Sequence, residues 1–283
     1  MAHMGPQNAG ERAPEKPPIP GVKNLIAVAS GKGGVGKTTV AVNLALALHA
    51  MGASVGLLDA DVYGPNVPVM LGTTEQPRAL DERRIVPVEA YGIKMISMGL
   101  LNPGDRPLIW RGPMLHSVVT QFLRSVQWGE LDYLLVDLPP GTGDVQLTLI
   151  QNVALTGAVL VTTPSIVALA DVRKAIEMFR QVNVEILGII ENMSYFVCPH
   201  CQERVDIFGS GEGLHLARTF SVPYLGGIEI EPQIRLGGDT GKPVAGQGED
   251  APGAHSIFEV ARQLTARLES MAGATQGPVV QID

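Results

Sequence analysis

One stretch limits the fold more than any other. An apolar run, Leu25–Ala29, leads straight into Ser30–Thr39, which reads SGKGGVGKTT, and then into a helical pattern over Thr38–Met51. The glycines Gly31, Gly33, Gly34 and Gly36 leave the backbone bare, so successive N–H groups can turn inward around an anion. The helix that follows aims its positive end at the same point. A strand, a glycine turn and a helix in that order open an α/β unit, whose strand is covered on both faces. The spacing Gly31-x4-Gly36-Lys37-Thr38 is that of a phosphate-binding loop, in which Gly31, Gly33, Gly34, Val35, Gly36, Lys37, Thr38 and Thr39 surround the phosphates. Lys37 would neutralise the β- and γ-phosphates, and the Thr38 hydroxyl would hold Mg²⁺. The run Gly31–Gly36 also satisfies the G-x-G-x-x-G dinucleotide fingerprint, with Asp59 at the end of the next strand as its ribose acid. Lys37 and Thr38 decide against that reading, because a dinucleotide site has no use for them.

The remainder of the chain repeats the alternation. Strands are expected at Leu25–Ala29, Ser54–Leu58, Ile93–Met98, Tyr133–Val136, Ala158–Thr162, Ile186–Ile190 and near Tyr224–Gly226. Helices are expected at Thr38–Met51, Pro113–Val126, Val145–Asn152, Leu169–Gln181, Gly213–Phe220 and Ser256–Met271. Most strands are continuous apolar runs, the mark of a sheet buried on both sides. The fold class that follows is α/β, a doubly wound, mostly parallel sheet with helices on both faces. Only 17% of residues are charged, and 33 glycines and 21 prolines supply tight loops. The expected organisation is a disordered lead over 1–21, one domain over 22–271 with a cysteine loop at 195–204, and a tail over 272–283. Residues Val145–Ala170 carry no charge, yet Gln146, Gln151, Asn152 and Pro164 interrupt them, so a helix, a buried strand and a loop are expected there. A net charge of −7 argues against a broad nucleic-acid-binding face. With no basic-then-apolar leader or membrane-binding basic helix in the sequence, the expectation is a cytoplasmic protein with no membrane or nucleic-acid partner.

Three acids stand where a nucleotide hydrolase needs them. Tyr133–Asp137 is an apolar strand ending in a carboxylate, and Asp137 there can hold Mg²⁺ through water. Asp59 and Asp61 end another strand, two positions apart, and can divide the work between the metal and the attacking water. The turn Pro139–Asp144 that follows Asp137 can sense a γ-phosphate. Lys32 is a second lysine inside the loop, which the ordinary pattern does not require; from a facing subunit it would act as an arginine finger does.

Cys198 and Cys201 are the only two cysteines. A four-thiolate site, whether an iron–sulfur cluster or zinc, therefore needs a second copy of the chain, which a two-fold dimer supplies. The spacing leaves other readings open: a redox disulfide, a dimer-bridging zinc, a one-chain site with His200 and His215, or cysteines that merely pack.

The loop Gly31–Thr39 resembles the deviant phosphate-binding motif of the MinD/ParA-type ATPases. Leu58–Asn66, Trp110–Met114, Val136–Asp144, Glu191–Ser194, Cys198-Pro-His-Cys201 and Gly237–Pro243 narrow the resemblance to the Mrp/Nbp35-like iron–sulfur cluster carrier ATPases. The resemblance covers about residues 20–270. It implies a homodimer that sandwiches ATP and Mg²⁺, with Lys32 acting in trans, Asp61 positioning water and Asn192 contacting adenine. It also implies an iron–sulfur cluster, of the 4Fe-4S type, bridging Cys198 and Cys201 of two subunits for delivery to apo iron–sulfur proteins, with cluster scaffold proteins as further partners. Two other functions are compatible with the motif: a MinD/ParA-like positioning ATPase and a zinc-bridged targeting ATPase. The first would need a terminal membrane helix or basic surface, the second a long Met- and Leu-rich insertion, and neither is evident in the sequence.

Overall fold

The computed structural model describes residues 17–61, 64–81, 84–101, 112–143, 146–147, 150–151 and 153–275. In chain order the strands are β1 (Val22–Ser30), β2 (Val55–Asp59), β3 (Arg78–Ala79), β4 (Ile85–Val86), β5 (Val88–Ala90) and β6 (Ile93–Ser97). They continue with β7 (Leu131–Asp137), β8 (Gly157–Thr162), β9 (Ile186–Glu191), β10 (Phe196–Val197), β11 (Arg204–Val205) and β12 (Tyr224–Gly227). The helices are α1 (Lys37–Ala50), α2 (Val67–Met70), α3 (Gly112–Ser125), α4 (Ile166–Gln181), α5 (Glu212–Thr219), α6 (Pro232–Asp239) and α7 (Ala254–Thr275). Eight strands form one sheet in the order β12-β9-β8-β1-β7-β2-β6-β5. All pairs are parallel except β5 with β6.

The strand pleat divides the core in two. Ile26 and Val28 of β1 point into a layer shared with α1 and α7, whereas Leu25, Ala27 and Ala29 point into one shared with α3, α4 and α5. Helix α1 is buried along most of its length, from Val40 to Leu48. Its Ala, Leu and Val side chains are apolar on every side, so it lies between the sheet and α7 rather than on the surface. Helix α4 begins at Ser165, whose hydroxyl accepts from the Ala168 N–H at 3.3 Å.

The seven expected strands all form: β8, β9 and β12 are one residue longer than expected, β1 and β7 extend further, β2 is shifted by one residue, and β6 stops one residue short at Ser97. The expected helix at Val145–Asn152 lies partly outside the described residues; Gln146, Leu147, Ile150 and Gln151 within it are helical. The uncharged stretch contains β8, buried throughout, and the start of α4. Among the described residues no helix is long and apolar enough to cross a membrane. Part of the expected lead belongs to the fold: Ile19 is buried in the α3–α4 layer, and the Gly21 carbonyl accepts from the Leu131 N–H at 2.8 Å. Helix α7 likewise continues to Thr275, beyond the expected start of the tail.

The registers place Asp137 beside both Val28 and Asp59. The C-terminal ends of β1, β2 and β7 therefore meet at one edge of the sheet, the edge where ligands bind in open α/β folds.

Candidate functional site

The glycine loop joins β1 to α1 over that edge. Gly34 and Gly36 both have φ of +80°, which a residue with a Cβ adopts only at a cost. Two glycines are required for space as well. A Cβ on Gly31 would stand 2.3 Å from the Asp171 carbonyl carbon in α4, and one on Gly36 would stand 2.2 Å from Asn192 Nδ2. Asn192, directly after β9, donates from Nδ2 to the Val35 carbonyl at 2.9 Å, and its own N–H donates to the Thr162 carbonyl at 2.8 Å. The loop is thus tied to the ends of β8 and β9. It lines a cavity of about 430 Å³ together with Asp61, Asn66 and Pro140; Lys32, Gly33, Gly34 and Thr39 all open onto it.

Beneath the loop lies a buried charge cluster. Lys37 is 6% exposed, with Nζ 2.5 Å from Asp137 Oδ1 and 3.9 Å from Asp61 Oδ2. Thr38 Oγ1 donates to the other Asp137 oxygen at 2.7 Å. Asp137 is wholly buried, which pushes its pKa up against the pull of Lys37. Asp59, also wholly buried, accepts from Ser97 Oγ (2.8 Å), the Asp61 N–H (3.1 Å) and the Val67 N–H (3.3 Å). Burial, and then the Asp137 charge, push its pKa up to about 7. Thr38 and Asp137 present hydroxyl and carboxylate oxygens side by side, a donor set suited to Mg²⁺, which takes one or two carboxylates and completes its shell with phosphate and water. Ser97 had no motif to announce it; only its place at the end of β6, beside Asp59 in the register, brings it here.

The cysteines occupy the tip of a hairpin rather than a plain loop. Strands β10 and β11 pair antiparallel, Phe196 with Val205 and Val197 with Arg204. The Cys198 N–H donates to the Glu203 carbonyl at 2.9 Å, and the Gln202 N–H donates to the Cys198 carbonyl at 2.8 Å. Gln202 closes the turn with φ of +59°. Both thiols are free, and Cys201 is exposed. Backbone N–H groups of Cys201 and then His200 point at the Cys198 sulfur and hold its pKa below the usual thiol value, as metal-binding thiolates require. Among the described residues no three His, Cys, Asp or Glu side chains converge on one point, so His200 and His215 do not complete a one-chain site with the thiols.

Glu191 links the two regions. It is 1% exposed at the end of β9, next to Asn192, and accepts from Ser194 Oγ and from the Gly213 N–H of α5, both at 2.6 Å. Around the hairpin, Ile166 and Val167 of α4 and Ile207 and Phe208 are exposed apolar side chains. Periodicity assigned Ile166 and Val167 no role. Trp110, Arg111 and Asp144, quoted in the sequence motifs, lie outside the described residues.

Comparison with known proteins agrees with this arrangement. A family model described as "ParA: NUBPL iron-transfer P-loop NTPase" matches residues 21–265. A protein of Aquifex aeolicus named "Iron-sulfur cluster carrier protein" is 53% identical over 89% of this chain and 70% of its own length. "Iron-sulfur cluster transfer protein NUBPL" of Dictyostelium discoideum is 48% identical over 92% of this chain and 82% of its own. Among solved structures, a nucleotide-binding protein in complex with ADP from Archaeoglobus fulgidus is 40% identical and superposes with a TM-score of 0.72, covering 84% of this chain and 92% of that one. The cell-division ATPase MinD of Pyrococcus furiosus, 24% identical with a TM-score of 0.65 over 86% of this chain and 98% of that one, shares the fold. By the family model that spans residues 21–265 and by its identity to these relatives, the chain belongs to the NUBPL iron-transfer family of ParA-type P-loop NTPases.

Proposed function

We propose that two copies of this chain close on ATP and Mg²⁺, hold an iron–sulfur cluster between the Cys198–Cys201 pairs of both copies, and hand it to apo iron–sulfur proteins. The observation that carries this reading is the hairpin tip, where two free thiols have backbone N–H groups turned toward sulfur but only half the ligands of a four-thiolate site. The exposed Ile166, Val167, Ile207 and Phe208 support a second copy on this face, because apolar clusters at a protein surface mark contact sites. A 4Fe-4S cluster would be the cargo of this face and not a resident cofactor.

In this reading the loop N–H groups and Lys37 bind the phosphates. Lys37 then turns from Asp137 toward the γ-phosphate, and Asp137 and Thr38 are free to hold Mg²⁺. The metal supplies charge neutralisation of the β- and γ-oxygens. Asp59 sits behind this group and supports it through Ser97 and the Asp61 and Val67 N–H groups. Asp61, close to Lys37 and only slightly exposed, orients the attacking water for slow ATP hydrolysis. Lys32 reaches the phosphates held by the facing copy. Asn192 is assigned to adenine through the family resemblance, with its bond to Val35 as the tether that positions it. The chain acts in the cytoplasm, with no nucleic-acid or membrane partner.

Anaerobic reconstitution with iron and sulfide tests this directly. The expected result is one 4Fe-4S cluster per two chains, seen as sulfide-to-iron charge-transfer absorbance and lost in both Cys198→Ala and Cys201→Ala. Stoichiometric zinc with no cysteine-dependent absorbance would overturn the carrier reading in favour of a zinc-bridged assembly.

A further inference from the structure

A hollow of about 480 Å³ lies beside the cysteine hairpin and is separate from the nucleotide cavity. Its floor is β12, an edge strand of the eight-stranded sheet, paired only with β9 among the described residues. One side is the hairpin, through Tyr195 and Val197; the other is α7, through His255 and Glu259. Val197 directly precedes Cys198, so whatever fills the hollow is brought to the thiols. Gly226 and Gly227 are partly exposed and β12 is laddered to β9 on one side only, so among the described residues its other backbone edge has no strand paired to it.

The charges in the hollow are unequally satisfied. His255 Nδ1 lies 3.3 Å from Glu249 Oε1, and Arg262 is paired with both Glu249 and Glu259. Glu231 caps α6 by accepting from the Gln233 N–H at 3.0 Å. Glu229 alone of these acids has neither a hydrogen bond nor an ion pair among the described residues, although it is half-buried in the hollow. Burial, and then the neighbouring Glu231 charge, raise its pKa, and His255 across the hollow, the smallest of the three influences, pulls the other way without reversing the shift. A half-buried carboxylate in that state is relieved by a cation that donates hydrogen bonds to it. Arg204 stacks over the Tyr195 ring at 4.2 Å and is paired with Asp206 at 3.0 Å, so it stiffens the hairpin side and is not free to neutralise Glu229.

We infer that this hollow is the docking groove for recipient proteins: an extended segment of the recipient adds as a strand to β12 and places an arginine or lysine against Glu229. The ladder hydrogen bonds supply affinity that tolerates many sequences, and the cation supplies register and selectivity. A carrier that serves several recipients needs that combination, and the groove delivers each of them beside Cys198. The inference rests on the carrier reading for its biological meaning, but its test does not depend on the cluster.

The test uses the full chain without cluster and a fluorescein-labelled octapeptide of alternating threonine and valine with one central arginine. Two control peptides carry glutamate in place of the arginine, or prolines at alternate positions. Binding is followed by fluorescence anisotropy and by hydrogen exchange at Tyr224–Gly227. The expected result is saturable binding of the arginine peptide that slows exchange in β12. The glutamate and proline peptides bind about tenfold more weakly or worse, as does the arginine peptide to Glu229→Gln, the loss that accompanies one charge-assisted hydrogen bond. Gln263→Lys, an exposed change on α7 that brings a competing ammonium to the same hollow, gives a similar loss without endangering the fold. No binding of the arginine peptide, or binding indifferent to proline and to both variants, overturns the groove. Iron and sulfide loading of the same preparations is measured separately. A chain that binds the peptide but never loads a cluster would retain the groove and lose the carrier reading, and one that loads but does not bind would do the reverse.

Discussion

Lys37 carries more of this molecule than its place in a motif suggests. Its ammonium is the cation for a carboxylate with no exposure at all, so removing it strands the Asp137 charge. Lys37→Met should cost about 3–5 kcal/mol of stability in nucleotide-free urea unfolding. Adding Asp137→Asn should recover most of that, because an amide needs no counter-ion. Equal stability of the single and double variants would show that the pair is not a unit. Asp59 gives a pH signature of opposite sense to the usual carboxylate. Its pKa is about 7 folded against 3.8 unfolded. Between those values the folded chain keeps a proton that the unfolded chain has released, so stability falls as pH rises through this window. The slope is at most about 1.4 kcal/mol per pH unit for the one proton. Thermal unfolding from pH 4.5 to 7.5 should show this decline in the nucleotide-free chain and a flatter profile in Asp59→Asn. At this scale the sequence named Lys37, Thr38, Asp59, Asp61 and Asp137 from spacing alone. Ser97 was assigned no role, because a lone serine at a strand end has no pattern until the neighbouring strands are known, and Glu191 entered only as part of the Glu191–Ser194 motif, with no role of its own.

At the scale of elements, the glycine loop was legible because its constraint is local: an anion cradle needs positive φ at Gly34 and Gly36. The packing reason for Gly31 and Gly36 was not legible, since Asp171 and Asn192 are far away in the chain. Gly36→Ala should combine backbone strain of about 1–2 kcal/mol with the collision against Asn192, and should abolish binding of a fluorescent ATP analogue. Gly36→Ala with Asn192→Ala should regain part of the stability but little of the nucleotide affinity, because the strained φ and the loss of the tether remain. A double variant that binds nucleotide like the parent would show that the Asn192 contact, not the φ, sets the requirement. The long strands were readable as apolar runs. Short elements such as the β10–β11 hairpin, β5 and α6 carry too few residues to show a period and are stabilised by neighbours instead.

At the scale of the whole molecule, the exposed apolar side chains around the hairpin predict an assembly. With ATP and Mg²⁺ the parent should elute as a dimer in size exclusion with light scattering. Ile166→Asp with Phe208→Asp should remain folded yet monomeric, and should fail to hold the cluster. A folded dimer in that variant would place the contact elsewhere. The alternation of apolar strands with helices, the glycine loop and the pair of cysteines followed from the sequence alone, because each depends on residues adjacent or a few positions apart. The sheet order, the meeting of Asp59 with Asp137, the buried tie from Asn192 to the phosphate loop and the open groove beside Val197 were decided only by the tertiary structure. Those features join segments tens to more than a hundred residues apart, and their energetics depend on burial and on neighbouring charge, quantities that a linear pattern does not contain.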